Sequence, residues 1–172
     1  MSAARRGHPT FGPLARGPRA APLFTFAAIA AFAAVAAALV SQHAFGMEPC
    51  PWCVLQRLVF VAIGVFALLG LAWRSPAGTR VAGGLALLLA TAGLGTALWQ
   101  HFVAARSASC NLTLADRIVN ATGLNALLPD VFEARASCAD AAVSLLGLPY
   151  EAWSGALFVA LGLLMLIALR RS

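Results

Sequence analysis

Lysine is absent from this chain, and charged residues of any kind make up only 10% of its 172 positions. Hydrophobic residues make up 61%, against about 45–50% in a soluble domain. So little charge excludes a soluble globule, because a core of this size could not bury that much apolar surface. There is no ten-residue alternation of polar and apolar positions, which excludes a transmembrane barrel. No internal repeat and no separate soluble domain are visible. The net charge of +6 is carried by arginine alone. A basic balance can signal nucleic acid, but the placement of these arginines argues against it.

The apolar residues fall into four long blocks, which is the pattern of membrane helices. The spans are expected at about 22–40, 54–73, 81–103 and 153–169, each long enough for a hydrocarbon core of about 30 Å. The expected fold is an all-α integral membrane protein, a four-transmembrane-helix bundle occupying 22–172. Two outward loops, about 41–53 and 104–152, join the helices. Residues 1–21, rich in Arg, Pro and Gly, read as a disordered cytoplasmic tail. A cleaved signal peptide is the alternative, disfavoured by the length of the apolar stretch and its lack of a small-residue cleavage site.

Arg5, Arg6, Arg16, Arg19, Arg74, Arg80, Arg170 and Arg171 lie in segments that hold no acid. Glu48, Asp116, Asp130, Glu133, Asp140 and Glu151 all lie in the others. The positive-inside rule therefore places both termini and the loop between the second and third spans in the cytoplasm. Trp52, Trp99 and Trp153 fall at outer helix ends and Trp73 at an inner one, as in an aromatic belt.

All four cysteines then face outward. Cys50-Pro-Trp-Cys53 opens the second span, and Cys110 and Cys138 lie in the long loop. Three readings compete. Structural disulfides suit an oxidising compartment, but a bridge across two residues closes too small a loop to constrain the unfolded chain much. A zinc site needs four converging ligands, and free thiolates are scarce on an oxidising face; no metal is expected. Reversible redox chemistry is what the Cys-x-x-Cys spacing supports. Cys53 sits near a helix N-terminus, whose dipole favours an anion. Arg57 stands one turn on. Both favour a thiolate at Cys53. An arginine at the edge of a span is costly and functional by default, although snorkelling to headgroups is the plain alternative.

The apolar positions from Leu112 to Leu128 suit an interfacial helix along the bilayer surface; an irregular self-packed loop is the competing reading. His101 and, more weakly, His43 could cap or relay a proton at outer helix ends. Glu48 reads as a solvated loop acid. The glycosylation patterns at Asn111 and Asn120 carry no assigned role.

Taken together, Gln42-His43, Pro49-Cys50-Pro-Trp-Cys53-Val-Leu-Gln-Arg57, Gln100-His101, Cys110, Cys138 and Leu146-Gly147 ahead of Trp153 resemble the disulfide bond formation protein B (DsbB) family. The resemblance covers nearly all of the chain after the tail. It implies a bacterial inner-membrane enzyme, multi-pass, with its cysteines facing the periplasm. Its partner would be a periplasmic thioredoxin-fold dithiol oxidase, DsbA-like, and its electron acceptor a membrane quinone, ubiquinone or menaquinone. The DsbA–DsbB–quinone relay is a known periplasmic system, so the redox direction comes from the family. By carry-over, Cys110 would form the mixed disulfide with the partner. Cys138 would attack Cys50, Cys53 would pass electrons to the quinone, and Arg57 and His101 would bind it. Gln56 departs from a family pattern that has an acid beside the arginine. A vitamin-K-epoxide-reductase-like enzyme shares this chemistry, but its Cys-x-x-Cys lies late in the bundle.

Overall fold

Four long helices carry the chain across and back. They are α1 (Ala21–Phe45), α2 (Pro51–Ala72), α3 (Pro76–Phe102) and α7 (Tyr150–Arg171). All four are long and apolar enough to span a membrane. The computed structural model describes residues 20–73, 75–106 and 113–171. Most of the N-terminal tail, Arg74, Asn111 and Cys110 lie outside the described residues.

The helices outrun the spans expected from hydropathy. Ser41, Gln42 and His43 end the apolar run of α1, yet the helix continues to Phe45 and stops at Gly46, whose φ of 64° only glycine adopts freely. Polarity ends a hydrophobic span; it does not by itself end a helix. α2 starts at Pro51, three residues before the expected start, because Pro suits the first helical position and Cys50 caps it. α7 begins three residues before and ends two residues after the span expected at 153–169.

Each long helix packs against two neighbours, closing the ring α1–α2–α3–α7. Phenylalanines fill its centre. The Phe60 ring stacks on Phe158 with centroids 4.1 Å apart. Phe158 lies so close to Gly93 that any Cβ there would collide with the ring. Such close approach at small residues is how membrane helices pack without a hydrophobic drive between them. Phe26, Leu88 and Leu163 face outward and stay exposed, as lipid-facing residues do.

The long loop between α3 and α7 is more structured than expected. The single interfacial helix is replaced by α4 (Leu114–Thr122), α5 (Leu124–Leu127) and α6 (Pro129–Phe132). Thr113 and Asp116 form a capping box that starts α4, and Gly123, at φ 70°, ends it. α4 buries Ala115 and Val119 and leaves Leu114 and Ile118 exposed. A two-residue antiparallel hairpin, β1 (Ser144–Leu145) and β2 (Leu148–Pro149), turns at Leu146-Gly147 and leads into α7.

Candidate redox site

The start of α2 supplies free backbone N–H groups, as every helix N-terminus does. Two sulfurs gather there. Cys50 caps the helix, its Sγ accepting from the Cys53 amide at 3.3 Å. Cys138 is buried in the same cluster, with Trp52. The positive end of the helix dipole therefore meets two thiols from different parts of the chain.

Cys50 has two other cysteines for neighbours. Its Sγ is 2.6 Å from that of Cys53, and Cys138 belongs to the same buried cluster. Cys50 and Cys138 are buried and Cys53 is half-buried. The Cys50 thiol is pushed above its ordinary value by Cys138, by Cys53 and by burial. Cys138 is drawn below its ordinary value, chiefly by Cys50.

Backbone hydrogen bonds deliver Cys138 to this place. The carbonyl of Pro49 accepts from the amides of both Arg135 (2.9 Å) and Ala136 (3.3 Å). The residue just before Cys50 thus ties down the segment just before Cys138. Around the sulfurs pack Trp52, Val54, Leu55, Ala115, Val119 and Phe132. Trp52 is therefore part of this cluster rather than of an aromatic belt. Trp99, 6.2 Å from it, remains half-exposed at the outer end of α3.

Arg57 is 6% exposed, so it does not snorkel to headgroups. Its Nη1 donates to Gln42 Oε1 at 2.7 Å and to the Val131 carbonyl at 3.1 Å. Its Nη2 donates to the Ala38 carbonyl at 3.4 Å. Gln42 also donates to the Asp130 carbonyl at 3.3 Å. α6 is thereby pinned onto the outer ends of α1 and α2. A guanidinium has five N–H donors, and these three oxygens leave it capacity for a ligand.

On the α3 side, Gln100 Nε2 donates to Cys53 Sγ at 3.3 Å. Gln56 Nε2 donates to Gln100 Oε1 at 2.8 Å. His101 pairs with Glu151 at 2.9 Å. Glu151, read from sequence as a loop acid, is instead in the first turn of α7 and buried. His43 and Glu48 are exposed. Gln42, Gln56, Gln100 and Glu151 had no role in the residue-by-residue reading. A signal was there: polar side chains inside or abutting apolar runs need partners.

Adjacent thiols at the mouth of a four-helix membrane bundle, with a third cysteine brought into their cluster by the long loop between α3 and α7, define a membrane thiol–disulfide oxidoreductase. The sequence comparisons agree. Residues 19–168 match the family described as disulfide bond formation protein DsbB. The chain is 37% identical to the disulfide bond formation protein B of Ralstonia nicotianae over 86% of its own length and 92% of that protein. It is 35% identical to the one from Cupriavidus metallidurans, covering 86% and 91%. No solved structure matches it. The chain belongs to the DsbB family, and it is a multi-pass membrane enzyme of quinone-linked disulfide formation.

Proposed function

We propose that this enzyme reoxidises a periplasmic DsbA-like dithiol and passes two electrons and two protons to ubiquinone or menaquinone in the inner membrane. Both termini face the cytoplasm and the cysteines face the periplasm. The observation that carries the reading is the position of Cys50, its Sγ 2.6 Å from that of Cys53, in a buried cluster that also holds Cys138.

The exchange begins with two disulfides, Cys110–Cys138 and Cys50–Cys53. A partner thiolate attacks Cys110, forming a mixed disulfide and releasing Cys138 as thiolate. Cys138 attacks Cys50, and Cys53 leaves as thiolate. The partner's second thiol closes the partner's own disulfide and releases Cys110. Cys110 attacks Cys138 and frees Cys50. Cys50 and Cys53 then close again as two electrons depart. Each step breaks one S–S bond and makes one, until the last makes a bond at the acceptor's expense.

A quinone supplies a two-electron, two-proton acceptor when bound. The residues present fit one. Cys53 is half-buried at the apolar mouth of the bundle. Arg57, one turn deeper, keeps spare donors in a dry setting where a charge-assisted bond to a quinone oxygen is strong. His101, partly exposed and held by Glu151, offers a second polar group at the helix ends.

Cys138→Ser is the test. With the resolving thiol gone, the mixed disulfide between Cys110 and the partner should accumulate on non-reducing gels. Trapping through Cys50 would refute the order of attack. Quinone reduction by the purified protein with a reduced dithiol partner tests the net reaction.

A further inference from the structure

Two buried glutamines touch the sulfur chemistry without any charge to titrate. Gln100 is 4% exposed and Gln56 is 3% exposed. One end of the Gln100 amide faces Cys53 Sγ at 3.3 Å and the other faces Gln56 at 2.8 Å. They come from different helices, α3 and α2, and bridge the seam between them.

A primary amide has a donor end and an acceptor end of the same shape. Which end meets the sulfur decides the sign of the interaction. In this structure Gln56 donates to the Gln100 oxygen, which leaves the Gln100 N–H groups for Cys53. A thiolate at Cys53 would then accept from a fixed donor. With the amide reversed, it would face a carbonyl oxygen. Both amides are buried, so little water is at hand to compensate for the loss.

We propose that Gln100 is a catalytic residue that stabilises the Cys53 thiolate, and that Gln56 is the positioning residue that fixes which end of its amide faces the sulfur. This rests on the reading of Cys50–Cys53 as the redox pair. The released Cys53 electron pair is held by a neutral donor, so the net charge of the site is left to Arg57. The reduced pair is favoured by the same donor, which makes the Cys50–Cys53 disulfide a better electron acceptor from Cys138.

The discriminating variant is Gln56→Glu, which changes one group and does not touch the sulfur. A carboxylate can only accept, so it draws the Gln100 N–H groups to itself and turns the oxygen toward Cys53. Gln56→Met removes the lock but leaves the amide free to keep its donor on the sulfur. Gln100→Met removes the donor outright. Each is made in the full-length Cys50→Ser chain in lipid nanodiscs, reduced beforehand and freed of reductant so that Cys53 and Cys138 are both thiols. Iodoacetamide labelling of the Cys53 peptide is timed by mass spectrometry at fixed neutral pH, with Cys138 labelling as the internal control. Cys53 labelling should slow roughly 3- to 10-fold in Gln100→Met and Gln56→Glu, and less in Gln56→Met. Cys138 labelling should keep its rate. With Cys50 restored, the same two variants should shift the Cys50–Cys53 pair toward disulfide in glutathione buffers.

Unchanged labelling in Gln100→Met overturns the proposal. So does an order in which Gln56→Met is the more damaging, because mere packing would favour glutamate, the closer match to glutamine in shape. Labelling needs neither quinone nor partner. A wild-type protein that fails to reduce quinone would therefore sink the functional reading while the labelling result still stands or falls alone.

Discussion

Arg57 holds α6 through the Val131 carbonyl and α1 through Gln42 and the Ala38 carbonyl, and the proposed function gives the same guanidinium a second duty, toward a quinone oxygen. Removing it leaves buried oxygens without donors as well as an acceptor site without its cation. Arg57→Ala is expected to weaken quinone use about 10- to 100-fold, the value of one charge-assisted hydrogen bond. It should also slow the passage of electrons from Cys138 to Cys50, because the loop that brings Cys138 loses an anchor. Arg57→Lys restores the charge but not the fork, and it should recover only part of the quinone affinity. Steady-state quinone reduction against quinone concentration, beside stopped-flow oxidation of the partner, separates the two effects. Wild-type quinone dependence in Arg57→Ala would remove Arg57 from the acceptor site.

Among the elements, α4 is the one whose stability comes most from its ends. It has nine residues, too few to persist as a helix in water unaided. In its capping box Thr113 Oγ1 accepts from the Asp116 amide at 3.2 Å, and the Asp116 carboxylate accepts from the Thr113 amide at 2.8 Å. Thr113→Ala should cost about 1 kcal/mol, seen as faster amide hydrogen exchange across 114–122 with the long helices unchanged. Equal exchange in the variant would show that packing of Ala115 and Val119 suffices alone. The long helices were legible in the sequence because twenty apolar residues in a row have few alternatives. Their ends were not, since Gln42 and Glu151 interrupt hydropathy without interrupting hydrogen bonding. The breaks between α4, α5 and α6 follow from Gly123 and Pro129, local signals outweighed by the apolar period across them. The meeting of Cys138 with Cys50 depends on Pro49 accepting from residues 135 and 136, a long-range backbone pairing that no side-chain pattern announces.

At the scale of the whole molecule, sidedness decides whether the sulfurs can work. Arg80, Arg170 and Arg171 belong to one end of the bundle and the cysteine cluster to the other. Reporter fusions at Gly78 and at the C-terminus should behave as cytoplasmic, and fusions near Met47 and Asn125 as external. An external signal from Gly78 would put the redox cluster in a reducing compartment and remove its function.

The doubly used carbonyl of Pro49 has a mechanical consequence. It acts as a hinge pin shared by the two cysteine-bearing segments, so in the proposed exchange Cys138 is kept beside Cys50 even when no bond joins them. Handing the disulfide from one pair to the other then takes side-chain rotation instead of loop travel. Such a step should keep its speed in a stiff, cold bilayer, where the arrival of a lipid-borne acceptor slows, leaving acceptor delivery as the slow stage of the cycle.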